Sequence, residues 1–194
     1  MKAKETGKKI KPSKEKRKKS AVSRRKSGGL NATGTIGGKE IAGKDKLRMI
    51  DVAEKAETLR TAEARGEVRI SAAVLQLILE NRLPKGDVLA AARLAGIQAA
   101  KKTSELIPLC HPLRITSVEV KVRPVKSKRL VEVKSFVKAV DRTGVEMEAL
   151  TAVAVACLTV YDMCKAFDRK MVIGDMHLLS KTGGKSGDFR WNQK

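Results

Sequence analysis

The stretch from residue 144 to 165, GVEMEALTAVAVACLTVYDMCK, constrains this chain more than any other, because it sets only four ionisable side chains in an otherwise almost wholly apolar segment. Apolar residues fall on nearly every side at helical spacing, which predicts a helix over 145–167 lying deep in a core. Taking Glu146, Glu148, Asp162 and Lys165 out of water beside such a helix costs several kcal/mol apiece unless each is paired or bound to something charged. Residues kept at that expense mark a candidate site. The uncharged run 149–161 is well short of the roughly 20 apolar residues that cross a bilayer. No apolar segment follows the basic N-terminus as a secretory signal requires, so the expectation is a soluble, non-membrane protein.

With 194 residues and 42% apolar content, the chain can support one domain, and its low aromatic content predicts a core of Ala, Val, Ile and Leu. Cys110, Cys157 and Cys164 are too few for a disulfide framework, and no Cys-x-x-Cys pair or His cluster offers a metal cage. A reducing, cytoplasmic setting follows. Charge divides the chain: residues 1–48 carry +13 of the total +21 and almost no large apolar side chains. That extension cannot bury enough surface to offset the entropy of ordering it, and it is expected to be disordered. Its basic run, KKIKPSKEKRKKSAVSRRK, would attract polyanions with little sequence preference, although no aromatic interleaves the charges to stack on bases. The domain proper is then 49–194, opening on a strand at MIDV.

Downstream, Ser71 caps a helix over AAVLQLILEN that Pro84 and Gly86 close off. A second helix is expected over 87–102, where Ala90, Ala91, Ala92, Ala95, Gly96, Ala99 and Ala100 make a slender surface that another element can approach closely. The period then changes to two. Val118, Val120 and Val122 alternate with Glu119, Lys121 and Arg123, and Val131, Val133 and Val137 repeat the pattern after a polar turn, which predicts an antiparallel hairpin with one wet face. The long helix comes next, then a strand over 171–180 and a glycine-rich tail. Helices on one face of an antiparallel sheet make an α+β domain.

Several local clusters could carry chemistry. In LPKGDV, Lys85 stands at the turn opening the second helix, where the helix N-terminus favours anions, although a turn lysine is more often solvated and idle. In LIPLCHPL, Pro108 and Pro112 fix the backbone around His111, which reads equally as a functional or a hydrogen-bonded structural histidine. Asp162 and Lys165 are three apart on one helical face, so each can hold the other charged, which reads equally as a pair poised for proton exchange or as a plain helix ion pair with Glu146 and Glu148 satisfying the helix dipole. Glu148 lies about 21 Å from Asp162 along a helix axis, beyond the reach of one small substrate. If all four residues of that helix act together, a second subunit must complete the site. KTGGKSGDF supplies glycines and the cations Lys181 and Lys185, but it lacks the P-loop spacing and follows a strand, which argues against an ATPase.

Taken together, LIPLCHPL, GVEMEALTA, YDMCKA and TGGKSGDF closely resemble the MoaC family, the cyclic pyranopterin monophosphate synthases of molybdenum cofactor biosynthesis, and the likeness runs from about residue 49 to 189. It implies a ferredoxin-like α+β subunit with its helices on one face of the sheet, assembled into a homohexamer, a trimer of dimers, with active sites at subunit interfaces. It also implies a lyase reaction, the conversion of (8S)-3′,8-cyclo-7,8-dihydroguanosine 5′-triphosphate to cyclic pyranopterin monophosphate with release of pyrophosphate. The family's functional positions fall on Lys85, His111, Glu146, Glu148, Asp162 and Lys165, all present here. By the same likeness Leu109, Cys110 and Met147 contact substrate, while His111, Lys85 and Lys181 or Lys185 hold phosphates. Asp162 and Lys165 would move protons, the glutamates would orient the base, and either Lys85 or Lys165 would be the general acid. No cofactor or metal is expected to be required, with Mg2+ allowed as a companion of the departing pyrophosphate. His177 matches no family position. The rival reading is a basic nucleic-acid-binding module, which requires that removal of 1–48 abolish function.

Overall fold

The computed structural model describes residues 47–192 together with a small upstream hairpin, β1 (Thr35–Ile36) paired antiparallel to β2 (Lys39–Glu40). Apart from that hairpin, the basic extension expected to be disordered lies outside the described residues. Residues 49–52, expected to form the first strand, are coil.

The domain is a five-stranded antiparallel sheet in the order β4-β5-β3-β6-β7. β3 (Thr58–Arg69) leads through α1 (Ala72–Leu79), α2 (Val88–Lys101) and the short α3 (Thr103–Leu106) to the hairpin β4 (Ile115–Val125) and β5 (Leu130–Asp141). Then α4 (Glu146–Cys164) leads back to β6 (Val172–Thr182) and β7 (Phe189–Arg190). The first four strands of the domain with their crossovers form the split βαβ arrangement of a ferredoxin-like fold, as expected.

Local signals account for the helix starts. The Ser71 hydroxyl accepts from the Val74 amide at 3.3 Å, and the Asp87 carboxylate accepts from the Ala90 amide at 3.0 Å. α1 stops four residues before Pro84: Asn81 turns left-handed with φ 51°, and the Arg82 amide reaches back to the Leu77 carbonyl at 2.9 Å. In α2 the small residues do let a helix approach. Gly96, Ala92, Ala99 and Ala100 are buried, and a Cβ at Gly96 would lie 2.8 Å from the Ala152 carbonyl oxygen of α4.

The predicted hairpin alternates as expected, with Val120, Val122, Val131, Val133 and Val137 buried beneath the helices and Glu119, Lys121 and Arg123 in solvent. Ser135 sits on the buried face of β5 and donates its hydroxyl to the Ala149 carbonyl at 2.7 Å, which satisfies it.

The central strand is β3, which sequence patterning did not reveal. Ala62, Ala64, Gly66 and Val68 face α4, while Glu63 and Arg65 face the other way. The inward residues are small because α4 lies almost on the strand: a Cβ at Gly66 would stand 2.6 Å from the Val153 Cγ1. On the outer face Arg65 bridges Glu67 at 3.3 Å and Asp175 at 2.9 Å, so the wet side of the sheet is laced by ion pairs.

Two expectations are corrected. α4 ends at Cys164, and it is buried on one side only: Val153, Ala156, Cys157 and Val160 are fully enclosed, whereas Leu158 on the opposite side is 57% exposed. α4 is the one helix among the described residues long and apolar enough to span a membrane, yet more than half of it is packed inside the domain, as a core helix is. The glycine-rich tail also folds back as β7, with Ser180 opposite Arg190 and Lys181 opposite Phe189.

Candidate active site

The polar residues singled out in the sequence gather in two clusters, one at each end of α4. At its C-terminal end, Asp162 Oδ1 is 2.8 Å from Lys165 Nζ and Asp162 Oδ2 is 2.7 Å from Lys85 Nζ. Lys85 also donates to the Asp162 carbonyl at 3.2 Å. It reaches there from the turn in which Gly86, with φ +92°, donates its amide to the Leu83 carbonyl. The two ammonium groups hold the Asp162 carboxyl down at about 2, with Lys165 the larger influence, and the carboxylate in turn raises Lys165. Asp162 is therefore ionised and Lys165 protonated at neutral pH.

The expected desolvation does not apply to this cluster within one chain. Asp162 and Lys165 keep over half of their side-chain surface in water. A polyanion arriving here therefore meets two hydrated ammonium groups tethered to one carboxylate.

At the other end, α4 begins at Val145 without a side-chain cap and carries Glu146 and Glu148 in its first turn. Lys181 Nζ, arriving from β6, lies 3.5 Å from Glu146 Oε1 and donates to Ser186 Oγ at 2.6 Å. Glu148 is the residue that is truly withdrawn from water, 3% exposed, and its Oε2 has no hydrogen-bond partner among the described residues. Burial pushes its carboxyl up to about 7, outweighing a bond from its own amide, and the charges of Glu146 and Asp141 push the same way. It can therefore exchange a proton near neutrality.

The 109–111 loop lies against this turn. Its Cys110 thiol is raised first by burial and then by the charge of Glu148, and Cys110 donates its amide to the Ile107 carbonyl at 3.0 Å. His111 is half-buried beside it, while Leu109 and Met147 are exposed. Lys185 is also exposed, at the tip of the glycine loop.

Arg60 belongs to this end too and was missed. It is a buried residue of β3 whose guanidinium donates to the Asp141 and Arg142 carbonyls at 3.4 and 3.3 Å. Gly183 and Gly184, with φ +88° and +85°, fold over it so closely that a Cβ on Gly184 would collide with its guanidinium. No sequence signal marks Arg60, because its place depends on β3 being a strand.

The clusters are separated by 14 residues of helix, about 21 Å, so within one chain they stand apart. Three concavities of about 290, 590 and 500 Å³ lie on the wet sheet face and along β4, and none is lined by Lys85, Glu148, Asp162 or Lys165. Among the described residues no three His, Cys, Asp or Glu side chains converge as a metal cage.

Residues 49–184 match the model of the MoaC family. A protein of Thermomicrobium roseum named cyclic pyranopterin monophosphate synthase is 60% identical over 145 residues, 75% of this chain and 87% of that protein. Proteins of the same name from Parvibaculum lavamentivorans and Roseiflexus sp. are 58% and 56% identical, over 76% and 74% of this chain and 92% and 91% of their own lengths. With the ferredoxin-like sheet and the motif residues at the two ends of α4, these likenesses lead to one conclusion: this chain belongs to the MoaC family.

Proposed function

We infer that this chain is a cyclic pyranopterin monophosphate synthase, a lyase that converts (8S)-3′,8-cyclo-7,8-dihydroguanosine 5′-triphosphate to cyclic pyranopterin monophosphate and pyrophosphate. The observation that carries this reading is the Lys85–Asp162–Lys165 cluster, drawn from two elements 77 residues apart onto the end of α4, in a chain whose relatives bear that enzyme's name.

Each group's chemistry suggests its role. Asp162 holds Lys165 charged and ion-pairs with Lys85, so either lysine is placed to donate a proton when a ring C–N bond breaks, and the carboxylate orients the donor. Phosphate oxygens arriving at the same cations compete with Asp162 and loosen the pair. Glu148 is a buried carboxyl near its titration point, able to accept from the N–H groups of a purine-like base, with Glu146, Met147, Leu109 and Cys110 around it. Lys181 and Lys185 supply the remaining positive charge for the triphosphate, and His111 offers a ring nitrogen for hydrogen bonding to it.

Half-sites about 21 Å apart are joined when the C-terminal end of one α4 meets the N-terminal end of another. The apolar outer side of α4, including Leu158, favours such burial. A homohexamer built as a trimer of dimers accomplishes this, and the enzyme works in the cytoplasm without a required cofactor, Mg2+ entering with pyrophosphate at most. The basic extension contacts polyanions non-specifically.

Incubating the purified chain with the cyclic dihydro-GTP intermediate should release one pyrophosphate per turnover. Lys165→Ala should keep the native assembly, measured by light scattering, and lose turnover. A variant that retains a near-normal rate takes Lys165 out of the mechanism.

A further inference from the structure

The structure points to a latch: we propose that Trp191, packed against His177, clamps the glycine hairpin 182–188 shut and so positions Lys181 and Lys185 for a phosphate chain. This rests on reading those lysines as phosphate ligands.

The hairpin needs such a device. Gly183, Gly184 and Gly187 all have positive φ, so three positions of this hairpin are glycines, which lose the most conformational freedom on ordering. Internal ties are few: the Gly187 amide donates to the Gly184 carbonyl at 3.1 Å, and the Gly183 amide donates to Asp188 Oδ1 at 3.2 Å. The strand that returns from it, β7, has two residues and lies at the sheet edge. Two ladder positions do not hold an edge strand against fraying.

The next residue supplies what β7 lacks. The Trp191 amide donates to the Leu179 carbonyl at 2.7 Å, and its indole packs on the His177 imidazole with ring centroids 4.8 Å apart and planes at 41°. That separation lies within the roughly 4.5–7 Å over which aromatic rings attract one another.

His177 is itself held from the central strand. Its Nδ1 lies 3.1 Å from the Asp175 carbonyl and 3.2 Å from the Asp175 carboxylate, which accepts from Arg65 Nη1 of β3 at 2.9 Å. The indole thus leans on a chain of contacts ending in the central strand of the sheet. His177, which matched no family position in the sequence, acquires a role.

The link to function runs through Ser186. Lys181 has its backbone fixed by pairing with Ala62, but its amine is turned by the Ser186 hydroxyl at 2.6 Å. Lys185 sits on the same loop. Opening the hairpin would swing Ser186 and Lys185 away together, leaving Lys181 to Glu146 alone. Trp191 and His177 are positioning residues, acting on substrate affinity through the loop.

The test uses the full-length chain and inorganic tripolyphosphate. Trp191 is the only tryptophan, so its emission reports the latch directly. Wild type should bind tripolyphosphate with a change in that emission, and the affinity of wild type and of every variant is read by isothermal titration calorimetry. Trp191→Ala and His177→Ala should weaken binding by about three- to tenfold, the worth of one aromatic pair, and raise KM for the cyclic triphosphate by the same factor with kcat within twofold. Trp191→Phe should restore affinity, because an aromatic face remains. Trp191 is half exposed, so truncation leaves the core intact. If wild type fails to bind tripolyphosphate, the phosphate role of the loop lysines fails and the latch with it. If wild type binds and Trp191→Ala binds equally well, or loses kcat with affinity unchanged, the latch alone is overturned.

Discussion

Replacing Glu148 with Gln removes one titration while leaving the side-chain volume almost unchanged. In the folded chain this carboxyl is 3% exposed and its Oε2 is unpartnered among the described residues, while Glu146 and Asp141 oppose its charge. Its proton is therefore released at about 7 in the folded protein, against 4.5 when solvated. Between those values the folded state binds more proton than the unfolded state, so stability falls as pH rises through the window. The full separation corresponds to about 3 kcal/mol, of which about 2.5 kcal/mol develops between pH 5 and pH 8. Gln has no such titration. Glu148→Gln should therefore gain on wild type by about that amount across the interval, seen as a difference in thermal midpoints that widens by about 5–10 °C. Scanning calorimetry at one protein concentration, with matched assembly for both proteins, measures it. A difference that stays flat from pH 5 to pH 8 would show that Glu148 titrates normally and that its burial here is compensated.

Gly96→Ala should destabilise the domain by about 1–3 kcal/mol in denaturant titration, because the added methyl meets the Ala152 carbonyl, Val120 and Ala156 and no flexible side chain can yield at the backbone oxygen; an unchanged midpoint would mean that α2 and α4 are less close than described. Gly183→Ala should weaken tripolyphosphate binding measured by calorimetry, since φ +88° is strained for alanine and its Cβ would collide with the Leu59 carbonyl, and wild-type affinity would refute the loop's close seat over β3. Asp162→Asn should leave Lys165 without the carboxylate that raises it, so the basic limb of the pH–rate profile should move to lower pH; an unmoved limb removes the pair from the rate. Deleting residues 1–48 should leave the pyrophosphate-releasing activity intact, because every strand of the five-stranded sheet and both polar clusters of α4 lie downstream, whereas loss of activity on deletion would favour the nucleic-acid reading.

Much of the architecture was readable because its causes are local. Ser71 and Asp87 cap helices through hydrogen bonds three residues long, and the valines of 118–137 alternate because a pleated strand turns every second side chain to the same face. β3 escaped because TLRTAEARGEVR is rich in Ala, Glu and Arg, which favour helix, and its buried positions are too small to show as an apolar stripe. β7 escaped because two residues carry no period, and its place depends on the Trp191 amide finding Leu179.

The candidate residues were likewise legible as types, and the Asp162–Lys165 pair as geometry, since a helix brings i and i+3 together. What residues alone determined is an α+β chain with an apolar helix charged at both ends, and motifs enough to suggest its family. Only the tertiary structure decided that Lys85 crosses 77 residues to join Asp162, that Arg60 lies beneath the glycine loop, and that Glu148 but not Asp162 leaves water. The physical reason is range: caps and periodicity act over a few bonds, whereas burial and ion pairing are set by whatever the folded chain brings alongside, which no short window of sequence contains.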